Sequence, residues 1–442
     1  MTKNDFYIRI FFVVVFQVSD NMATAVDQKY KKHELRDHIY QIPDTYIGSV
    51  ESTQLETFLY DEETRRMVKK TITYVPGLYK IFDEVIVNAT DHAMRLAADI
   101  KAKKEDVRPL KAIRISIDRE TGVIEVMNDG DGIDVEEHPT HKVPIPQLIF
   151  GELLTSTNYD PNEEKLWGGK NGYGAKLTNI FSKEFIVETV DHRRKKIYTQ
   201  TFYDNMKRFD KPTIKASSKA PYTKIRFLPD YTRFGMRKLS DDMYELFKKR
   251  AMDACASSDH TVAIYFNDAK LDIKNFEKYA DMYIGGKDER PRAVESCDRW
   301  EIVATFSDNG QFEQVSLVNG ILTGRGGKHV EYITNQITKK LAEMASAKTK
   351  KDIKPQYIKD NLMVFVKALI VNPSFDTQTK DSLTTAVSKF GSKCELSDKF
   401  YTALYKTGIT EKAISLTDFH DTKKLTKTDG KKTSRIHVPK LD

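Results

Sequence analysis

Four short stretches of this sequence carry residue types suited to chemistry on a phosphorylated ligand. Glu84, Asn88 and Asp91 stand at i, i+4 and i+7, so on a helix they share one face. A carboxylate can take a proton from an attacking water, and an Asn oxygen is a neutral ligand for a hard cation such as Mg2+. The triplet alone describes a solvated polar face equally well. The second stretch, Asn128-Asp129-Gly130-Asp131-Gly132-Ile133, directly follows a strand pattern. Its glycines let the backbone approach a flat ligand, and Asp129 can accept from an exocyclic amine such as that of adenine. As a bare Asp-Gly pair it is also an ordinary turn. The third, Trp167-Gly168-Gly169-Lys170-Asn171-Gly172-Tyr173-Gly174-Ala175-Lys176, has four glycines within seven residues and runs into a helix pattern. Free amides and the positive end of a helix make a phosphate cradle. Ala175 stands where a Walker A loop needs Lys, and Leu177 where GxGxxG needs its third Gly, so both common nucleotide loops are disfavoured. The fourth, Asn372-Pro373-Ser374-Phe375-Asp376-Thr377-Gln378-Thr379-Lys380, lies about 200 residues further on. Lys380 offers a positive charge to a terminal phosphate from a distant part of the chain; by itself the stretch reads as a helix cap.

Mixed α and β elements must position these residues. Residues 27–45 read as a polar helix stopped by Pro43. Val75-Pro76-Gly77 opens a second helix, with Leu78, Ile81, Phe82, Val85, Ile86 and Ala89 at helical spacing. Ala112–Ile117 and Val123–Asn128 alternate around Arg119-Glu120-Thr121-Gly122, a hairpin pattern. Residues 164–180 read as a Gly-rich loop entering a helix, and 184–228 as further strands. Near 258 the texture changes: Thr261–Phe266 and Trp300–Phe306 read as strands of a new sheet, His329–Ala347 as a long helix and Asn361–Val371 as a buried strand. A helix is expected after the Pro373–Lys380 loop, and from about 420 the chain is Lys-rich and reads as a linker. No internal repeat is found.

The chain has 442 residues; 71 Lys+Arg against 64 Asp+Glu leave a net charge of +7. With 40% hydrophobic and 31% charged residues, this is a globular composition, and a largely disordered or collagen-like chain is excluded. The length predicts two or three domains. The charge permits nucleic-acid contact without arguing for it. Cys255, Cys297 and Cys394 form no CxxC pair, which argues against a zinc ribbon or a disulfide framework; a sparse odd set fits a reducing compartment. Phe6–Val18 is strongly apolar, but thirteen residues are too few to span a bilayer. It reads as a buried or partner-paired strand or as an extension, against the alternative of a signal-peptide core with Ala23-Thr24-Ala25 as its cleavage site. The sequon Asn88-Ala89-Thr90 falls inside a helical pattern and is read as helix.

The order of the four stretches resembles the ATP-binding half of eukaryotic-type (type IIA) DNA topoisomerase II, within the GHKL ATPase superfamily. Flanking segments share the likeness: Pro43-Asp44-Thr45-Tyr46-Ile47-Gly48-Ser49, Val75–Ala89, Ile149–Tyr159 and Ala368–Lys380. The likeness covers roughly 27–442. The gyrase subunit, heat-shock chaperones, mismatch-repair proteins and histidine kinases share the first three stretches; the PDTYIGS and QTK segments resemble the topoisomerase branch, and the NPSFDTQTK wording the eukaryotic-type enzymes. The implied fold is α/β (α+β): a two-layer GHKL (Bergerat) sandwich on a mostly antiparallel mixed sheet, then a smaller α/β transducer domain of ribosomal-protein-like fold with a left-handed βαβ crossover. The implied domains are an N-terminal extension (1–26), the ATP-binding domain (27–258), the transducer with the QTK loop (259–412) and a linker (413–442) toward a cleavage core.

The resemblance also assigns roles. Glu84 matches the general base and Asn88 the magnesium ligand, with Asp91 and Arg95 nearby. Asp129 matches the adenine-recognising acid, where many members carry Asn. Ser156, Thr157 and Asn158 match contacts to ribose and phosphates. Lys170, Asn171, Gly172, Tyr173, Gly174, Ala175 and Lys176 match the phosphate loop. Gln378 and Lys380 match transducer residues that touch the γ-phosphate, and Tyr30 a tyrosine that reaches into the partner's nucleotide. His92 stands where Asn is usual. Lys348, Lys350 and Lys351 resemble a lysine loop facing DNA, although so short a basic run is often only solvated. The implied cofactors are ATP and Mg2+. The implied partners are a second copy of the chain on ATP binding, double-stranded DNA, and the cleavage core of the same full-length enzyme. The expected setting is the nucleus, with a mitochondrial or viral setting as alternatives. No EGDSA-type acidic motif and no segment bearing a cleaving tyrosine is found, so the chain is expected to hydrolyse ATP and dimerise without cutting DNA. A chaperone or mismatch-repair clamp on the same fold, and a nucleotide-binding module without turnover, are the competing readings; both Glu84 and Lys380, whose loss would mark the latter, are present.

Overall fold

The computed structural model describes residues 34–153, 166 and 172–429. Contact density divides the chain between Ile42 and Pro43. The first unit is described from residue 34, as helix α1 (Leu35–Gln41). Tyr30 and the apolar N-terminal stretch lie outside the described residues. The second unit holds all remaining elements.

That unit begins with a hairpin of β1 (Thr53–Asp61) and β2 (Arg66–Tyr74), which the sequence reading missed. Next comes α2 (Pro76–Lys101), 26 residues long and opened by Pro at its first position, where the missing N–H costs no hydrogen bond. Its first three turns are buried nearly all round. The sequon lies within it: Thr90 Oγ1 donates to the carbonyls of Ile86 and Val87, 3.2 and 3.0 Å away, and is buried.

A nine-stranded sheet supports α2. Its strands are β3 (Ala112–Ile117), β4 (Ile124–Asn128), β5 (Ser182–Asp191), β6 (Lys196–Tyr203), β7 (Arg208–Phe209), β8 (Thr213–Ala216), β9 (Thr223–Pro229), β10 (Ala263–Phe266) and β11 (Ala269–Lys270). The order is β11-β10-β3-β4-β9-β5-β6-β7, with β8 also on β6. All pairs are antiparallel except β10 with β3. Residues 261–266 therefore do not start a new sheet, and the first sheet continues past the expected boundary at 258. A parallel pairing between strands so distant in sequence leaves no local pattern. Three further helices pack on this layer: α3 (Ile145–Gly151), α4 (Gly174–Ile180) and α5 (Asp241–Ser257).

The second sheet runs β12-β13-β16-β14-β15, with β12 (Ala293–Cys297), β13 (Trp300–Phe306), β14 (Glu313–Val318), β15 (Ile321–Leu322) and β16 (Leu362–Ala368). Strands β14 and β16 are parallel and joined through α7 (Lys328–Thr349); α6 (Phe276–Ile284) comes earlier. Central β16 is buried at six of its seven positions, as the unbroken apolar run of a two-sided strand requires. Met67, Met252, Phe276, Tyr279, Val303 and Phe365 share one apolar cluster, so hairpin, helices and second sheet pack as one body. After the Lys380 loop no α-helix follows directly: Leu383 bridges to Gly327 and Phe375, which takes up the backbone groups a helix would need. A short helix, α8 (Pro355–Lys359), precedes β16, and the α-helices that come after the loop are α9 (Asp398–Tyr405) and α10 (Ile409–Asp429). The segment expected to be a linker from 413 is thus helical to 429.

Candidate functional site

A cleft of about 990 Å³ opens between α2 and the end of β4. Glu84, Asn88, Asp91, His92 and Arg95 line it from α2, the face that the helical spacing defines. Gly172 to Lys176 close another side, Val126, Asn128, Gly132, Ile133, Thr223 and Ile225 form the sheet side, and Gln378 and Lys380 arrive from the second sheet's loop.

Charge is concentrated on the cleft floor. Glu84 is only 4% exposed, and its Oε1 lies 2.7 Å from Lys80 Nζ and 3.6 Å from Lys380 Nζ. Burial alone pushes the Glu84 carboxyl up; Lys380 and then Lys80 outweigh it, and the group sits below its ordinary value. Glu84 is therefore an ionised, desolvated carboxylate. Lys80 also reaches Asp83, 3.1 Å away, and Asp83 meets the fully buried Arg250 at 2.6 Å. Such pairs persist because removing one partner of a buried pair costs about 3–5 kcal/mol. Around Glu84 the helix α2 thus carries a packed ionic array, while Asn88 one turn on is exposed to the cleft.

The Gly-rich loop enters α4 against this floor. A Cβ on Gly174 would stand 2.1 Å from Glu84 Oε2, so only glycine lets the loop approach the carboxylate. Thr178 Oγ1 donates to the Ile81 carbonyl at 2.9 Å, pinning α4 to α2. Lys176 Nζ donates to the Gly172 carbonyl at 2.8 Å, and burial pulls its pKa down to about 8. On α2, Arg95 Nε is buried with no hydrogen-bond partner among the described residues, a donor suited to an anion.

The far end of the cleft corrects one assignment. Asp129 Oδ1 accepts from the amides of Lys111 and Ala112, at 2.7 and 2.9 Å, and Asp129 is not among the residues lining the cleft. Its neighbour Asn128 is buried and lines it. The cause is strand alternation: Ile124, Val126 and Asn128 are the buried positions of β4, and the next residue falls on the other side. His92 Nε2 bonds the Asp131 carbonyl at 2.8 Å; burial and then Arg95 lower its pKa, so the neutral ring donates. Asp131 is further held by Arg193, 2.7 Å away. Sequence reasoning missed Asn128, Lys80 and Arg193. The alternation of β4 would have found the first; Lys80 and Arg193 leave no local signal.

Of the other candidates, Ser156, Thr157, Asn158, Lys170 and Asn171 lie outside the described residues, as does Tyr30. Lys348, Lys350 and Lys351 are exposed at and beyond the end of α7, away from the cleft lining. Lys348 Nζ lies 5.3 Å from the Tyr405 ring centre, and Lys351 pairs with Asp418.

Two family patterns match the chain: "Histidine kinase-, DNA gyrase B-, and HSP90-like ATPase" over residues 73–217 and "DNA gyrase B" over 265–432. DNA topoisomerase 2 of Arabidopsis thaliana is 43% identical over 427 residues, covering 95% of this chain and 28% of its own length. That of Acanthamoeba polyphaga mimivirus is 43% identical over 432 residues, covering 96% of this chain and 33% of its own. The chain thus spans about a third or less of these relatives. Among solved structures, the ATPase region of Saccharomyces cerevisiae topoisomerase II superposes with a TM-score of 0.81 at 42% identity, covering 88% of this chain and all of that one. The ATPase and transducer domains of DNA topoisomerase II from Balamuthia mandrillaris give 0.82 at 41% identity, covering 89% and 99%.

Proposed function

We propose that this chain, which belongs to the ATPase region of the DNA topoisomerase II family, works as an ATP-operated dimerisation gate that helps capture and pass a DNA duplex. One observation carries the reading. Lys380, on a loop of the second sheet, stands 3.6 Å from Glu84 on the central helix of the first. Whatever charge arrives there acts on both parts at once.

In this reading adenine lies toward Asn128 and the phosphates toward Gly172–Lys176. Glu84, ionised and aimed into the cleft, takes the proton of the attacking water. Lys176, Lys380 and Gln378 oppose the charge that grows on the transferred phosphoryl group. Hydrolysis and loss of phosphate then release Lys380, which is a nucleotide switch with a mechanical output.

A divalent cation fits the cleft in one way. Among the described residues no group of three or more His, Cys, Asp or Glu could hold a metal, whereas Asn88, with its neutral side-chain oxygen, is exposed and lines the cleft. Mg2+ takes oxygen ligands, keeps several waters and is held largely by substrate phosphates, so one neutral protein oxygen can complete its shell; when bound, it would neutralise phosphate charge. Asn88 is the residue we assign to it.

The test is Glu84→Ala. ATP binding should persist and turnover should fall by roughly 10²–10⁴-fold; turnover near that of the wild type would remove Glu84 as the base. Solution mass with a non-hydrolysable ATP analogue and Mg2+ checks the gate: a nucleotide-dependent dimer supports it, and an unchanged monomer overturns it.

A further inference from the structure

The array beneath Glu84 does not end at the cleft. Asp83, beside Glu84 on α2, accepts from Arg250 Nε at 2.6 Å. Arg250, on α5, is fully buried and donates from Nη2 to the Gly320 carbonyl at 3.0 Å. Gly320 forms the turn between β14 and β15, with a φ of +78°, and a Cβ there would stand 3.6 Å from Thr90 Oγ1 and Met94 Cε and 3.8 Å from Ser257 Oγ. The other charge near Arg250, Asp253, is held by Lys249 at 2.8 Å and by the Tyr279 hydroxyl at 2.6 Å, which leaves Asp83 as the carboxylate that Arg250 serves.

The turn is tied in its own way to the loop that carries Lys380. Asn319 Nδ2 donates to the Ile370 carbonyl at 2.8 Å, and Ile370 N–H donates to Asn319 Oδ1 at 2.7 Å. Ile370 is the root of the 372–380 loop. The contacts therefore close a ring: Lys380 to Glu84, Glu84 to Lys80, Lys80 to Asp83, Asp83 to Arg250, Arg250 to Gly320, and through Asn319 and Ile370 back to the Lys380 loop. The three cations, Lys380, Lys80 and Arg250, face two carboxylates, Glu84 and Asp83. The surplus of one positive charge suits an incoming phosphate.

We infer that Arg250 is a positioning residue: it steadies Glu84 through Asp83 and Lys80 and, through Gly320, makes the second sheet's turn respond to the nucleotide. The inference rests on the assignment of Glu84 as the base. A terminal phosphate that attracts Lys380 leaves Lys80 as the chief cation of Glu84. Asp83 then depends more on Arg250, and the guanidinium, which spans Asp83 and Gly320, transmits the change to the turn. Coupling of this kind needs no movement of the cleft wall, only two alternative partitions of the same ionic contacts.

Two variants of the full chain test this. Arg250→Lys keeps a cation for Asp83 but cannot fork to the Gly320 carbonyl. Asp83→Leu with Arg250→Met removes the buried pair together, a replacement that proteins often tolerate, and leaves the surplus charge unchanged. In both, KM for ATP should stay within about twofold while kcat falls on the order of tenfold. Hydrogen exchange should also separate the roles. In the wild type a non-hydrolysable ATP analogue should change exchange at residues 319–322; in either variant that response should be lost. A purely structural Arg250 would alter exchange there without and with nucleotide alike, and that result overturns the inference. So does a kcat within twofold of the wild type. An Arg250→Lys enzyme as active as the wild type beside an inactive Glu84→Ala enzyme sinks only the coupling; an active Glu84→Ala enzyme sinks the base assignment beneath it.

Discussion

Lys80 and Lys348 share a side chain and stand in opposite conditions. Lys80 is 1% exposed, with Asp83 and Glu84 at 3.1 and 2.7 Å. Lys348 is exposed at the end of α7, over the Tyr405 ring. At low effective dielectric, a buried charge is fixed by its partners and its position matters to a fraction of an ångström. In water the same charge is screened within about 8 to 10 Å, and position matters little. The cleft floor is therefore built for chemistry, where geometry decides. The basic end of α7 is built, at most, for attraction that adds up charge by charge.

The largest effect belongs to the floor. Gly174→Ala adds one methyl group, placed 2.1 Å from Glu84 Oε2. Gly174 opens α4 without a positive φ, so alanine fits the backbone and the strain falls on the carboxylate. A misplacement of about 1 Å can cost 10²-fold. Turnover at saturating ATP should fall by about that factor while the protein stays folded. A rate within threefold of the wild type would mean that Glu84 yields easily, and the contrast with the surface lysines would weaken.

The next effect is graded. Burial holds Lys176 at about 8, below the ordinary value of about 10.4. Phosphate beside it favours the charged form and raises that pKa. Between pH 8 and the raised value, ATP binding must therefore take up a proton, and affinity should decline as pH rises, by up to about tenfold per unit. Below pH 8 Lys176 is charged in either state, so its contribution is flat. Titration of ATP affinity from pH 7 to 9.5 checks this, and Lys176→Met should flatten the upper limb.

This contrast also marks what could be read in the sequence. Glu84, Asn88 and Asp91 were legible as one face from helical spacing, Arg95 only through the likeness to a family, and Gly172–Lys176 because glycine density has few other causes. Asp129 was misplaced by a single residue: the DG-x-G wording draws attention to the acid, while the two-residue period of β4 directs Asn128 into the cleft. Lys80 and Arg250 were not legible. A lysine one turn before a glutamate looks like a surface pair, and nothing local to residue 250 names Asp83 or Gly320 as its partners. The same limit hid the pairing of β10 with β3, while the Lys380 loop was reachable only through its likeness to a family.

The smallest effect concerns the basic end itself. If Lys348, Lys350 and Lys351 meet DNA phosphates, each contact releases counterions, and the slope of log affinity against log salt should lessen by about 0.9 per lysine removed. The three are not equivalent. Lys350 sits in a left-handed conformation at the helix end, with a φ of +58°, and is exposed. Lys348 is partly engaged by Tyr405, and Lys351 by Asp418. A lysine that must leave a carboxylate to reach a phosphate gains less by the exchange. Lys348→Ala with Lys350→Ala should therefore reduce the slope by nearly 2, whereas Lys351→Ala should reduce it by less than 0.9. The losses should be the same for unrelated duplex sequences, because phosphate contacts carry no base information. Equal slopes in the wild type and the double variant would remove this surface from DNA binding. A loss confined to one sequence would show geometry at work where only summed charge is expected, and the two ends of the comparison would no longer be opposites.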